Sequence, residues 1–77
     1  MLPHQQRVVD EKTARDIEIA ALQKFIKKSP IFDTLDIAEQ WRLTTQCHLM
    51  VQLSCILGQR IDAFPPEPGD NGDDIPL

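Results

Sequence analysis

The chain has no tyrosine, one tryptophan, two histidines and two cysteines in 77 residues, and these shortages exclude much. Cys47 and Cys55 lie eight positions apart in what reads as one helix, which sets their Cα atoms roughly 12 Å apart, beyond disulfide reach. They form no CxxC pair. With His4 and His48 as the only histidines, no ligand set has the spacing of a structural zinc site, and no metal or cofactor is expected. No apolar run of signal-peptide type opens the chain, and none approaches the ~20 residues of a membrane span. The expectation is a cytoplasmic protein without a membrane contact. A basic excess is missing as well. The net charge is −4, yet Glu67, Asp70, Asp73 and Asp74 carry all of it, and the preceding residues hold eight bases and eight acids. That balance excludes a general DNA binder, which needs a basic face. The chain is also short: one domain of this size draws no more than roughly 3 to 5 kcal/mol from its core. Without a disulfide or a metal, self-association is the remaining source of stability.

What is present reads as all-α: an antiparallel helical hairpin over residues 1–64 and an acidic Pro/Gly tail over 65–77, PPEPGDNGDDIPL, expected to be disordered. Pro3 suits a first helical turn, where its missing N–H would be unpaired anyway. From there a helix can run to Lys27 or Lys28, cations that suit the negative end of the helix dipole. Pro30 then stops it, because a residue before proline is pushed out of the α region. In the connection SPIFDTLD, Ser29 can cap a short turn while Ile31, Phe32 and Leu35 plug the end of the hairpin. Asp36 is a fitting N-cap for the second long helix, with Glu39 at capping-box spacing. This helix is expected to reach about Phe64, where Pro65 and Pro66 end it.

The second long helix carries Leu43, Met50, Leu57 and Phe64 on one heptad row and Cys47, Ser54 and Ile61 on the other, facing the first helix. Leu49, Val51, Leu53, Cys55 and Ile56 fall outside both rows. A helix apolar around most of its girth is buried on several sides, so the outer faces are expected to meet other subunits. Gly58 costs about 1 kcal/mol in a helix interior and fits a close helix crossing.

The first helix is stranger. Its apolar stripe Ile19, Leu22 and Ile26, extended backward in steps of three and four, falls on Arg15, Lys12, Val8 and His4, so it turns cationic halfway along. A hairpin turning near residue 32 brings position 4 opposite position 60. His4, Arg7, Lys12, Arg60 and the ring of Phe64 are then neighbours, beside the unpaired N–H groups of a helix start that favour an anion. Arginine grips phosphate as a fork and histidine can donate to phosphate or stack on a base. The competing reading is a solvated face, with Asp10, Glu11 and Asp16 as partners for the cations. Cys47 and His48 diverge by about 100° and make no thiol and base pair. Lys24, Lys27 and Lys28 read as a solvated last turn, and Trp41 as an interface or core ring. No nucleophile, base and orienting group can be assembled, so the chain does not read as an enzyme.

The pattern PHQQRVVDEK, then FI followed by SPIF, a leucine, EQ with RL, Gln46, Met50, and Ser54 leading into ILGQRI and Phe64, resembles a family of small helical-hairpin proteins of phages. These are the anti-CBASS and anti-Thoeris sponges, and the resemblance, nearest to the anti-CBASS branch, spans residues 2 to 64. It implies a compact homo-oligomer, typically a hexamer, whose subunit interfaces hold cyclic dinucleotides or trinucleotides, or cyclic ADP-ribose relatives, without cleaving them. A bacterial effector is thereby denied its activator. By position, the resemblance gives ligand contacts to the PHQQR segment, with His4 and Gln5, to Arg7 and Arg60 for phosphates, and to Val8 for apolar contact; Lys12 and Phe64 join these candidates through their expected place at the same end of the hairpin. The chain departs from the pattern at Leu53, where relatives often carry an aromatic residue, and in ARDIEIAAL, which is poorer in charge. A reading from another class is a helical-hairpin adapter that grips a protein partner through its second long helix.

Overall fold

The computed structural model describes residues 1–65; the acidic tail assigned to 65–77 lies outside them from residue 66 onward. Three helices follow one another: α1 Pro3–Lys28, α2 Pro30–Thr34 and α3 Ile37–Asp62. α1 and α3 pack antiparallel as the two arms of a hairpin, and α2 is one turn set across its closed end. No helix among the described residues is long and apolar enough to cross a membrane.

Local chemistry sets each boundary. Pro3 occupies the first turn of α1, and Lys27 and Lys28 sit in its last turn. Ser29 leaves the helix in an extended conformation ahead of Pro30, and its Oγ accepts from the Ile31 N–H at 3.2 Å. Asp36 caps α3 by accepting from the Glu39 N–H at 2.7 Å. The Glu39 carboxylate turns to Arg42 Nε at 2.8 Å instead of completing a capping box. α3 stops at Asp62, two residues short of the expected Phe64, because Phe64 precedes Pro65 and is barred from the α region.

Val8 and Ile19 of α1, Phe32 of α2, and Cys47 and Leu57 of α3 form the buried apolar core, with Leu57 only 2% exposed. All lie along the seam between the arms except Phe32, whose ring meets Phe25 edge-on at 6.0 Å and closes the hairpin. Gln40 Nε2 binds α2 to α3 by donating to the carbonyls of Phe32 and Leu35, at 3.0 and 3.1 Å. Leu35 is half-buried, but Ile31 is 60% exposed and takes no part in the plug, because α2 turns only Phe32 inward.

The fold corrects the register. Lys12 Nζ donates to Ser54 Oγ at 3.1 Å, and a Cβ on Gly58 would lie 3.2 Å from Lys12 Cε. Pairs such as Lys12 with Ser54 or Gly58 are centred on residues 33 to 35 rather than on 32, because the two arms pack with a small stagger along the seam. Phe64, rather than Arg60, therefore stands across from His4, and Arg60 stands a turn further in, across from Val8.

Two long arms one layer deep cannot hide much surface. The chain measures 57 × 16 × 14 Å and exposes 5712 Å², whereas a compact monomer of the full 8.8 kDa exposes about 4,800 Å².

Candidate functional site

The open end of the hairpin is where the α1 seam turns polar. Position by position the seam runs Ile26, Leu22, Ile19, Arg15, Lys12, Val8, Gln5 and His4, all buried or half-buried. An amphipathic helix of one globular chain ordinarily keeps such a stripe apolar. Here the polar half needs partners, and the structure supplies them unevenly.

Lys12 is engaged within the chain. Its ammonium donates to Asp16 Oδ2 at 2.8 Å and to Ser54 Oγ, and the buried Ser54 hydroxyl in turn donates to Asp16 Oδ1. The Asp16 carboxyl is held below its ordinary value of 3.8, first by the hydrogen bond from Lys12 and next by that from Ser54. One charge of each sign and a hydroxyl thus close a ring across the seam, over Gly58. The glycine makes room for a lysine stem rather than for a helix backbone. Sequence reading placed Ser54 on the seam but missed the ring; the signal lay in the i,i+4 spacing of Lys12 and Asp16.

Gln5 is 4% exposed, and its Oε1 accepts from the Leu2 N–H at 3.1 Å, so the side chain caps the start of α1. Val8, at 6%, is core. In a single chain both face the seam, so a ligand reaches them only by way of the hairpin mouth.

His4, Arg7, Arg60 and Phe64 surround that mouth. Arg7 and Arg60 are exposed and make no ion pair or hydrogen bond among the described residues. His4 is half-buried, with its Nε2 shielded from solvent and without a hydrogen-bond partner among the described residues. A shielded polar nitrogen without a partner calls for an explanation, and a bound group is one. Phe64 is half-buried beyond the end of α3. The first turn of α1 holds no acid, whereas those of α2 and α3 hold Asp33 and Glu39. Among the described residues, the first turn of α1 therefore offers no carboxylate to the positive end of its dipole, which lies near two guanidinium groups that make no pair there. That arrangement can hold an anion, with an aromatic ring and an imidazole alongside.

Cys47 is buried and His48 exposed, pointing apart as helix geometry requires. No group of three or more His, Cys, Asp or Glu among the described residues could hold a metal ion.

His4, Arg7, Arg60 and Phe64 belong to the open end of a small helical hairpin. The family described as Sequestin matches residues 2–63, and the chain belongs to that family, whose name denotes sequestering. No curated protein and no solved structure matches the chain.

Proposed function

We propose that this protein is a phage-type sponge that binds cyclic oligonucleotide messengers, dinucleotides or trinucleotides, and holds them without cleavage, so that CBASS effectors of an infected bacterium are not activated. Membership of a family named for sequestering supports the class of activity, and the cations and rings about the mouth of the hairpin suit such a ligand. The observation that supports the reading is that, among the described residues, Arg7 and Arg60 make no ion pair or hydrogen bond, beside a shielded His4 Nε2 that also lacks a partner there and a first turn of α1 that holds no acid. Arginine forks and N–H groups fit phosphodiesters; His4 and Phe64 fit bases. The working form is a homo-oligomer, with a hexamer as the assembly implied by the resemblance, because one hairpin leaves the mouth open on its outer sides. Subunits related by symmetry would offer paired cations to the repeated phosphates of a cyclic ligand.

The test mixes purified protein with 3′,3′-cyclic GMP-AMP, with cyclic tri-AMP and with cyclic ADP-ribose isomers. Ligand at a hundredfold excess over Kd should raise Tm by about 10 °C or more, and heat denaturation should release the nucleotide intact. A flat melting temperature with every one of these ligands sinks the reading. Release of a linearised product would make the protein an enzyme.

A further inference from the structure

The cations of the hairpin divide by whether they have a partner. Lys12, Arg15 and Arg42 pair with Asp16, Glu18 and Glu39. Arg7 and Arg60 at the open end, and Lys24, Lys27 and Lys28 at the closed end, make no ion pair among the described residues. Asp62 closes α3 two residues after Arg60, yet neither arginine pairs with it, and Asp10 accepts instead from Gln6 Nε2 at 2.9 Å. The missing negative charge lies next in the sequence. Beyond Pro65 come Glu67, Asp70, Asp73 and Asp74 without a single base, and these four carboxylates account for the whole net charge of −4.

We infer that the acidic segment 66–77 competes with anionic ligands for the mouth of its own hairpin, setting its carboxylates against Arg7 and Arg60. This regulation rests on the anion-binding role proposed for the mouth. Tether length selects the mouth over the closed end. The four carboxylates follow Pro65 by two to nine residues, and a flexible chain of that length has a root-mean-square reach of roughly 8 to 17 Å. Arg60 lies five residues before Pro65, and Arg7 one turn into α1. Lys24, Lys27 and Lys28 stand about 30 Å or more along α1 from His4, at ~1.5 Å a residue. A short tether holds the carboxylates near the arginines at an effective concentration of roughly millimolar. Exposed ion pairs are individually weak, so the segment yields to a ligand that grips both arginines. Occupying the mouth for ~70 to 90% of the time, it raises the apparent Kd of that ligand about three- to tenfold.

The test combines Glu67→Gln, Asp70→Asn, Asp73→Asn and Asp74→Asn in the full chain, which removes the charge and keeps the length. Without ligand and at low salt, neutralisation should shift the NMR signals of the amides of residues 3–8 and of the Arg7 and Arg60 side-chain Nε–H groups, and leave the amides of residues 24–28 in place. In 1 M NaCl, where charges are screened beyond ~3 Å, the mouth signals of the two proteins should converge. Binding of 3′,3′-cyclic GMP-AMP should be about three- to tenfold tighter in the neutralised protein at low salt and equal in 1 M NaCl. Mouth signals that do not move on neutralisation overturn the inference. So does movement at residues 24–28 instead, or equal nucleotide affinity of the two proteins at low salt. If neither protein binds any cyclic nucleotide the sponge reading falls, and the ligand-free signals still decide whether the carboxylates reach the arginines.

Discussion

Gly58→Ala sets two effects of similar size against each other. Replacing a glycine in the interior of a helix by alanine stabilises it by about 1 kcal/mol, because the glycine backbone loses more freedom on folding. The new methyl, however, lands 3.2 Å from Lys12 Cε, inside the usual separation of ~3.5 to 4.0 Å between carbons. A lysine stem on an open surface would step aside at no cost. This one is fastened at its tip, by hydrogen bonds to Asp16 at 2.8 Å and to Ser54 at 3.1 Å. Moving Cε by a few tenths of an ångström loosens the bond to the buried Ser54 hydroxyl. That contact is worth about 1 kcal/mol once the partial exposure of Lys12 is allowed for. The two effects nearly cancel, so Gly58→Ala alone should change stability by less than about 0.5 kcal/mol.

The cancellation is lifted when the lysine stem is gone. In a Lys12→Ala background, Gly58→Ala should stabilise by the full ~1 kcal/mol, which gives a coupling of about 1 kcal/mol between the two positions. Urea denaturation of the four proteins at one fixed protomer concentration reads this directly, since under the proposed self-association stability depends on concentration. If Gly58→Ala gains the full amount with Lys12 in place, the ammonium is not held across the seam and the ring of Lys12, Asp16 and Ser54 is not a constraint.

Other outcomes follow from the same geometry. Asp16 has a folded-state pKa lowered chiefly by Lys12, so its pairing contributes stability above the unfolded value, near 3.8, and loses it as pH falls through the lower folded value. Wild type should accordingly lose stability below pH ~4 more steeply than Asp16→Asn, and parallel acid titrations of the two would show that the pairing has no such effect. Leu57→Ala should cost about 3 kcal/mol, because the side chain is 2% exposed and its loss leaves a cavity in the seam; a shift in urea midpoint worth under ~1 kcal/mol would contradict its place in the core. Arg7→Ala and Arg60→Ala should each weaken cyclic nucleotide binding about ten- to hundredfold at unchanged oligomer mass, as expected for loss of a charge-assisted hydrogen bond to phosphate. Dissociation of the oligomer by either variant would make that arginine an assembly residue.

The hairpin was legible because its signals are local and agree with one another. Pro3, Ser29, Pro30 and Asp36 fix the ends of three elements through backbone chemistry that no tertiary contact overrides. The heptad rows of α3 located Cys47, Ser54 and Leu57 for the same reason: seam positions follow from helical period alone. Register was less legible, since the stagger of the two arms is set by how side chains such as Lys12, Ser54 and Gly58 meet across the seam, and it moved the residue across from His4 from Arg60 to Phe64. Side-chain partnerships across the seam inherit that error, which is why Lys12 read as a neighbour of the mouth and not as the partner of Ser54. At the mouth itself, Gln5 was legible only as part of PHQQR; that it caps α1 depends on a side-chain rotamer, which period cannot supply.

The uneven seam ties stability to binding. Ile19, Phe32, Cys47 and Leu57 concentrate apolar burial in the middle and closed end, and Val8 is the one fully buried apolar residue in the first three turns of α1. The mouth is instead held by Gln5, with Arg7 and Arg60 adding charge of one sign and His4 leaving a shielded nitrogen unpaired. Regions with few apolar contacts open first in local unfolding. The mouth is therefore the weakest part of the hairpin when empty, and an anion there would add the contacts that the seam lacks. Under the proposed function, ligand binding and closure of residues 3–8 against 60–64 would then be one equilibrium. Amide exchange should be fastest at these two segments in the ligand-free protein and slow most there, rather than around Leu57, when a cyclic nucleotide is added. Slowing confined to the Lys24 to Ser29 region would move the binding site to the opposite end of the hairpin.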